Sequence, residues 1–384
     1  MENNNPFEGL PFFGDFEKLF GAGGKDHWST AKQIAVQMAS GEDGDPNVDP
    51  SDRIALEELS RIAQLHVSNA TGLDSGNAIV VPVTRTQWAH ETIDSYQPLF
   101  EKLNDSLGES SGNEIESSDP MGAMFGQMMQ FLGPMMLAMT AGSMVGHLAQ
   151  RALGQYDLPI PREKNAGVKV VTKNVEDFGG EWSLPSQELL LWVCLNELTY
   201  YTIFQLDHVR DRFGNLLMEY VSAFESNPSG LEEKLQQIDM TSPSAIEDLQ
   251  KSLGSPEVIL GAIQSEEQKY ILPELEATTA VIVGYVDFVM DSVGHGLIGS
   301  YDQITEAMRR QRVEADPSDR FIERLLGLEL TQVQVDRGTT FINGVIERTG
   351  TAELARLWED SKNFPTPNEV DAPGLWLARL DLPE

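Results

Sequence analysis

Residues 120–150 contain no Asp, Glu, Lys or Arg and carry eight of the fourteen methionines. An uncharged run of this length could cross a bilayer as a helix. Several glycines interrupt it, Gln and His side chains are scattered along it, and acidic rather than basic residues precede it, which argues against a membrane span. We predict a buried Met- and Gly-rich helical hairpin; a membrane span and a partner-binding Met surface are the alternatives. The spacing of Gly142 and Gly146 permits close helix packing in each case.

The net charge excludes two classes of partner. Sixty acidic residues against 27 basic residues give −33 at pH 7, within a composition of 41% hydrophobic residues that is typical of a globular protein. Non-specific nucleic-acid binding and anionic membrane surfaces both require Lys and Arg, so neither is expected. The single cysteine, Cys194, excludes an internal disulfide, and no secretory signal is visible, so we expect a cytoplasmic protein. The sequence makes no prediction about its oligomeric state.

Apolar spacing predicts a mainly α fold with a few short strands. Helices are expected near 28–38, 52–69, 86–107, 185–224 (one long helix or two in series), 266–293, 301–328 and 338–349. Short strands are expected near 78–85 and 167–175, and an extended segment at 328–335. In the helix at 52–69, we assign the apolar side to Ile54, Leu56, Leu59, Ile62 and Leu65. We divide the chain into a flexible arm, 1–24, and a single domain, 25–384, which contains a flexible polar insertion at 106–119.

The stretch 186–210 is the most informative about chemistry. Zinc peptidases carry two His one turn apart on a helix with a Glu beside the first, the pattern H-E-x-x-H. The imidazoles hold the metal, and the carboxylate takes a proton from the bound water. A second helix supplies a Glu ligand, and an Asp one turn later orients a ligand histidine. We expect the helix at 186–210 to face a second one at 270–292.

The chain resembles the actinobacterial zincin-like metallopeptidase family, which includes provisional hydrolases of unknown substrate. The resemblance runs through most of residues 25–384. It rests on the segments KDHWSTAKQIA, ALGQYDLPIP, WVCLNELTYYTIFQLDHVRDRF, LEATTAVIVGYVDFVMDSV, EAMRRQR, RLLGLEL and LWEDSKNFPTPNEVDAPGLWL. What it implies is a zincin-like fold with a zinc-dependent hydrolase or peptidase site between the two helices.

The resemblance also implies that the metal ligands have been replaced. Asn196 stands where the motif has its first His, Tyr200 stands at the second His, and Val283 stands at the glutamate ligand. Glu197, at the general-base position, and Asp287, at the orienting position, are retained. Asn, neutral Tyr and Val make a poor zinc site, so no metal or other cofactor is expected, although zinc is the cofactor that the family implies.

Two hypotheses about function follow. The first is a catalytically inactive binding or scaffold protein whose cleft holds a peptide or a protein partner. The second is a hydrolase or peptidase with a rearranged site that uses Glu197. It would depend on zinc or another metal held by displaced ligands, or on metal-independent acid/base chemistry of Glu197 and Asp287. In a rebuilt site Glu197, Tyr201 and His208 would share one helix face, and Asp287 would pair with Asp291 one turn later. Polar packing of these carboxyl groups is the favoured interpretation.

The remaining motifs favour structural roles. The four residues Asp43, Asp45, Asn47 and Asp49 resemble a calcium loop that lacks its Gly and Glu, and a solvated loop is expected. The run from His90 to Asp94 begins like the metalloprotease motif but lacks the second His. Cys194 is expected to be buried and inert. The basic cluster of Arg309, Arg310 and Arg312 is expected to pair with carboxylates, with capture of an anionic ligand as the alternative.

Overall fold

The computed structural model describes residues 27–41, 44–76, 78–113, 135, 137–164, 167–224, 265–313, 322–328 and 330–382. The first half comprises α1 (His27–Ser40), α2 (Pro50–Thr71), β1 (Val80–Val83), α3 (Arg85–Asn113), α4 (137–149), β2 (Val168–Val171) and α5 (Thr172–Glu181). The second half comprises α6 (Ser186–Phe204), α7 (Asp207–Ser222), α8 (Glu266–Leu297), α9 (Tyr301–Val313), α10 (Gln332–Thr349), a 3₁₀ helix (Thr351–Trp358), α11 (Pro367–Asp371) and α12 (Pro373–Leu380). The predicted mainly α fold is confirmed.

Helices α6 and α8 form the centre of the core. Almost every residue of α6 from Leu189 onward is buried, and α8 is buried nearly without interruption between Ala277 and Val286. Helices that are apolar on all sides are expected inside a protein. The described helix α8 is also long and apolar enough to cross a membrane, but 72% of its apolar window is buried inside the protein, as in a core helix.

Small residues set the closest helix crossings. A Cβ atom built on Gly142 of α4 would overlap the backbone of Ala31 in α1, and one on Gly146 would overlap that of Ala35. The close packing expected from the spacing of these two glycines is therefore present, between α4 and α1. The first part of the predicted hairpin, 120–134, and the arm 1–24 lie outside the described residues.

The two short strands pair in parallel, with Val80 opposite Val168 and Val83 opposite Val171. Gly154 forms an isolated antiparallel bridge to Val170 on the same strand β2. This bridge holds the loop that follows α4 beside the sheet. The sheet thereby places residues 154–156 against the central helix α6.

Several element predictions need correction. On α2, Leu56 is buried and Leu59 half-buried against the core, as predicted, whereas Ile54, Ile62 and Leu65 are exposed. The neighbouring elements pack on the opposite side of the helix, so its buried residues continue through Ala63, Val67 and Thr71. The insertion placed at 106–119 begins inside α3, since residues 106–113 continue that helix, and its remainder lies outside the described residues. The extended segment 328–335 overlaps α10, which Thr331 caps and which therefore begins at Gln332.

Candidate functional site

Glu197 lies on α6 with its side chain turned into the protein. It is 2% exposed, and its Oε2 accepts hydrogen bonds from the backbone N–H groups of Gln155 (2.7 Å) and Tyr156 (2.9 Å). Its Oε1 accepts a longer hydrogen bond, of 3.5 Å, from the side-chain amide of Asn196. The carboxyl group therefore ties α6 to the loop that follows α4.

Gly154 allows this close approach. A Cβ atom at position 154 would overlap the carboxyl carbon and Oε1 of Glu197. The indole N–H of Trp88 donates to the carbonyl of Gly154 at 2.8 Å and also holds the loop in place. The loop and the carboxyl group thus form one packed unit.

Burial raises the pKa of Glu197 to about 8, and the negative charge of Asp157 acts in the same direction. The hydrogen bonds from Tyr156, Gln155 and Asn196 stabilise the ionised form and oppose this shift, but they do not outweigh the lost hydration. The group is thus mostly protonated at neutral pH.

Tyr200 follows one turn later on α6 and is buried. Its ring stacks with those of Tyr156, at 5.7 Å, and Phe204, at 6.4 Å, and these two rings also contact each other. Burial raises the pKa of its hydroxyl; the charge of Arg312 opposes the rise, whereas those of Asp287 and Glu197 add to it. The hydroxyl of Tyr200 therefore lies within the electrostatic reach of both carboxyl groups.

Asp287 lies on α8, half-buried, one turn after the buried Val283. Burial raises the pKa of Asp287, the neighbouring Asp291 adds to the rise, and Arg312 opposes it. Asp291 accepts a hydrogen bond from the Tyr301 hydroxyl at 2.8 Å. Helices α6 and α8 pack against each other, as the sequence predicts.

The family model for zincin-like metallopeptidases matches residues 27–377. The chain belongs to the zincin-like metallopeptidase family. The zincin-like chain is also similar to a crystal structure from Chloroflexus aurantiacus, described as a provisional hydrolase with a novel fold. The TM-score is 0.66 at 22% sequence identity, over 93% of this chain and 99% of that one, which is a likeness of fold. A comparison with curated proteins finds no match.

At the three positions that the sequence pattern assigns to the zinc ligands, the side chains are poor donors for the zinc ion that the family implies. Asn196 offers a neutral amide, Tyr200 a buried phenol whose pKa is raised, and Val283 an alkyl chain. Among the residues that the structure describes, no three His, Cys, Asp or Glu side chains are grouped as metal ligands. Zinc requires such donors at close to tetrahedral geometry.

The proposed rebuilt face on one helix is wrong. Helix α6 ends at Phe204, and His208 lies on the separate helix α7, where its Nε2 is buried without a hydrogen-bond partner. Glu197 and Tyr201 remain on α6. Asp287 and Asp291 do lie one turn apart on α8, as expected.

Other candidates have structural roles in the described part of the chain. Asp45 accepts hydrogen bonds from the backbone of Arg85 and Thr86 at the start of α3, and Asp49 caps α2, while Asp43 lies outside the described residues. His90 contacts Asp94 at 3.3 Å on an exposed face of α3.

The buried Cys194 has a pKa raised by burial, which suppresses thiolate formation, as expected for an inert thiol. Arg309 and Arg310 both pair with Glu306, as predicted for the basic cluster. Arg312 instead influences Tyr200 and Asp287.

Sequence reasoning missed the loop 154–162 as part of the site. Its residues bind Glu197 through backbone N–H groups, which any residue except proline can supply, so no side-chain pattern identifies them. The only available signal was the segment ALGQYDLPIP, which carries the family resemblance. The need for glycine at position 154 of that segment becomes clear only from its contact with the carboxyl group of Glu197.

Proposed function

We propose that this zincin-like protein is a binding or scaffold protein that holds a peptide or protein partner beside the half-buried Asp287 of α8 without hydrolysing it. The replaced positions Asn196, Tyr200 and Val283 support a site that holds no zinc. The half-buried carboxyl group of Asp287 and the neighbouring charge of Arg312 support polar recognition at this part of α8.

The environment of Glu197 carries the proposal. A general base must reach the water or substrate whose proton it removes. The Oε2 of Glu197 accepts two backbone hydrogen bonds, the side chain is 2% exposed, and Gly154 lies against the carboxyl carbon. This carboxyl group acts as a structural link between α6 and the loop 154–156.

Metal analysis of the full chain, purified without a metal-affinity tag, tests the first half of the proposal. We expect far less than one zinc per chain after dialysis against buffer containing micromolar zinc. Stoichiometric zinc that is lost in Asp287→Ala but kept in the exposed control Asp302→Ala would contradict the proposal.

A rebuilt site tests the assignment of the ligand positions. The triple variant Asn196→His, Tyr200→His and Val283→Glu restores the donors of the family pattern, and we expect it to bind zinc stoichiometrically. Circular dichroism would verify that the variant is folded. A folded triple variant without zinc affinity would show that these positions do not converge on one metal site.

Selection from a random peptide library on the immobilised full chain tests the second half. We expect enriched peptides to bind the wild-type protein and to lose about tenfold in affinity in Asp287→Ala, since a hydrogen bond to a charged group contributes about 1.5 kcal/mol or more. The control Asp302→Ala, an exposed carboxylate on α9, should bind as the wild type does. No enrichment, or equal loss in both variants, would contradict partner binding beside Asp287.

The second candidate is a metal-independent hydrolase that uses Glu197. One observation favours it: a carboxyl group whose pKa is about 8 is an effective general acid near neutral pH. We would then expect hydrolysis of peptide or ester substrates that survives a chelator and is abolished in Glu197→Gln. Activity that is equal in wild type and Glu197→Gln would exclude this mechanism.

A further inference from the structure

The solvent side of α2 carries large apolar side chains. Ile54 is 61% exposed, Leu65 is 60% exposed and Ile62 is 43% exposed, whereas the opposite side of the helix, with Leu56 and Ala63, is buried in the core. Single exposed apolar residues are common on protein surfaces. Three of them on one side of a single helix form a patch of the kind that marks an interaction surface.

Two of these apolar residues enclose a pair of opposite charges. Ile54, Glu58, Arg61 and Leu65 follow one another at intervals of four, three and four residues, which places them on the same side of an α-helix. All four are exposed. Ile54 and Leu65 are about 16 Å apart along the helix axis, with the two charged side chains between them. The order along this row is therefore apolar, acidic, basic, apolar.

This row is complementary to itself when a second α2 lies antiparallel to the first. The pair of Ile54 and Leu65 and the pair of Glu58 and Arg61 have the same midpoint in the chain, between positions 59 and 60. A two-fold axis through this midpoint brings Ile54 of each copy to Leu65 of the other, and Glu58 of each copy to Arg61 of the other. A two-fold interface makes each of these contacts twice. A parallel arrangement in register would instead place like charges opposite each other.

The charged side chains are available for such contacts. The side chain of Arg61 is 72% exposed and pairs within the chain with Glu57, which is 64% exposed. An exposed ion pair of this kind contributes little to stability, so Arg61 can exchange it for another carboxylate. Glu58 has no ion-pair partner in the described part of the chain. Apolar contacts on both sides of the new pairs would exclude water from them and strengthen their attraction.

We propose that α2 is a dimerisation surface, through which two copies of this chain pair antiparallel by way of Ile54, Glu58, Arg61 and Leu65. Ile62, beside this row, adds apolar surface. Burial of the apolar side chains drives the association, whereas the charge of −33 on each copy opposes it. One helix from each copy makes a small interface, so the dimer is in reversible equilibrium with the monomer.

Sedimentation velocity of the full chain, from low to high micromolar concentration, tests the proposal. In about 0.15 M sodium chloride the Debye length is about 8 Å, so long-range repulsion between the two acidic chains is largely screened. We expect the wild type to shift from monomer toward dimer as the concentration rises, and Leu65→Glu to remain monomeric. The control Val333→Glu, at a 73% exposed position of α10, should dimerise as the wild type does. A wild type that stays monomeric, or a Leu65→Glu variant that dimerises equally well, would overturn the proposal.

A charge exchange tests the antiparallel pairing itself. Glu58→Arg and Arg61→Glu each place like charges opposite each other at both contacts, so either variant alone should be monomeric. Mixed in equal amounts, the two variants should form a heterodimer at least about tenfold more tightly than either associates with itself, because one chain then presents two basic and the other two acidic side chains. Each substitution changes the net charge of −33 by only two, so general repulsion does not explain such a result. Variants that fail to associate on mixing would overturn the pairing.

Other occupants of this surface are outcomes of the same experiments. If another segment of the same chain covers it, the wild type is monomeric at every concentration, and Leu65→Glu lowers the Tm whereas Val333→Glu does not. If a different protein covers it, the wild type is again monomeric, and both variants keep the Tm of the wild type. Either result would overturn the homodimer.

Discussion

Glu197 combines two properties that are separate in most carboxyl groups: it accepts backbone hydrogen bonds and its pKa is nevertheless raised. Two N–H donors normally lower the pKa of a carboxyl group, but here burial outweighs them and raises it to about 8. The folded protein therefore binds a proton at Glu197 more tightly than the unfolded chain does, for which the pKa is near 4.5.

This difference predicts a pH dependence of stability. Because the folded pKa is the higher one, the contribution of Glu197 to stability is fully present below about pH 4.5 and is lost as the pH rises toward 8. Glu197→Gln removes the titration, and the rotated amide of Asn196 can satisfy the new N–H group. We expect the Tm of the variant minus that of the wild type to increase from pH 5 to pH 8, with a slope of up to about 1.4 kcal/mol per pH unit in the free energy of unfolding.

The matched control for this experiment is Glu188→Gln. Hydrogen bonds from the side chain and backbone of Ser300 lower the pKa of Glu188, so the ionised form stabilises the native state. Its variant should therefore lose stability relative to the wild type above pH 4.5. If the stability of both variants relative to the wild type changed in the same direction as the pH rises, the raised pKa of Glu197 would be contradicted.

Gly154 gives a second prediction at the level of single residues. Gly154→Ala forces a methyl group into the carboxyl group of Glu197, and we expect it to lower the free energy of unfolding by about 1–3 kcal/mol. The double variant Gly154→Ala, Glu197→Ala should be less destabilised than the sum of the single variants, since the clash is then absent. Urea denaturation measures all four proteins.

The control here is Gly214→Ala, inside helix α7, where a Cβ atom meets nothing within 4 Å. Alanine is a better helix former than glycine, so this variant should be as stable as the wild type or more stable, by up to about 1 kcal/mol. Additive effects in the Gly154 and Glu197 double variant would show that the two residues are not in contact.

Among the helices, the crossing of α8 and α10 depends most strictly on glycine. A Cβ atom on Gly338 would overlap the carbonyl of Ala280, and one on Gly284 would overlap the backbone of Gly338. Backbone atoms cannot move aside as a flexible side chain can, so the two helix axes would have to separate. The same helix α8 carries Asp287 and Val283, so the crossing positions the candidate site.

We therefore expect Gly338→Ala to destabilise the protein strongly, by more than about 3 kcal/mol in the free energy of unfolding. The shift in the urea midpoint measures this effect. Gly296→Ala, on the same helix α8 but in open space, should be close to neutral. A nearly neutral Gly338→Ala would mean that α8 and α10 are farther apart than described.

At the scale of the whole molecule, the charge of −33 makes stability sensitive to salt. Many ion pairs are present, such as Arg337 with Asp371 at 2.6 Å, but exposed pairs contribute little, about 0–1 kcal/mol each. Repulsion among unpaired carboxylates opposes the compact state and is screened by salt, since the Debye length is about 30 Å at 0.01 M and about 3 Å at 1 M.

We expect the Tm at pH 7.5 to rise as sodium chloride is increased from about 10 mM to about 500 mM. The rise should shrink as the pH is lowered toward the pI of about 4.4, because the net charge then vanishes. Differential scanning calorimetry at both pH values measures it. A Tm that falls with salt at pH 7.5 would show that attractive ion pairs dominate over net repulsion.

The sequence by itself determined the helical class, most helix positions and the family. Helices α1, α3 and α8 begin close to where the apolar spacing places them, because helix formation depends on periodicity over a few turns, which is local in the chain. The close approach of α4 was also predictable, since Gly142 and Gly146 one turn apart leave room for another backbone.

Only the tertiary structure decided which side of a helix is buried and which partner a polar group finds. Ile54 and Leu65 lie on the solvent side of α2, because the neighbouring elements pack against Leu56 and Ala63. The loop 154–162 meets Glu197 about 40 residues along the chain, through backbone groups that carry no side-chain signature. The burial of Arg162 likewise results from contacts with residues far along the chain, so neither fact is encoded in local spacing.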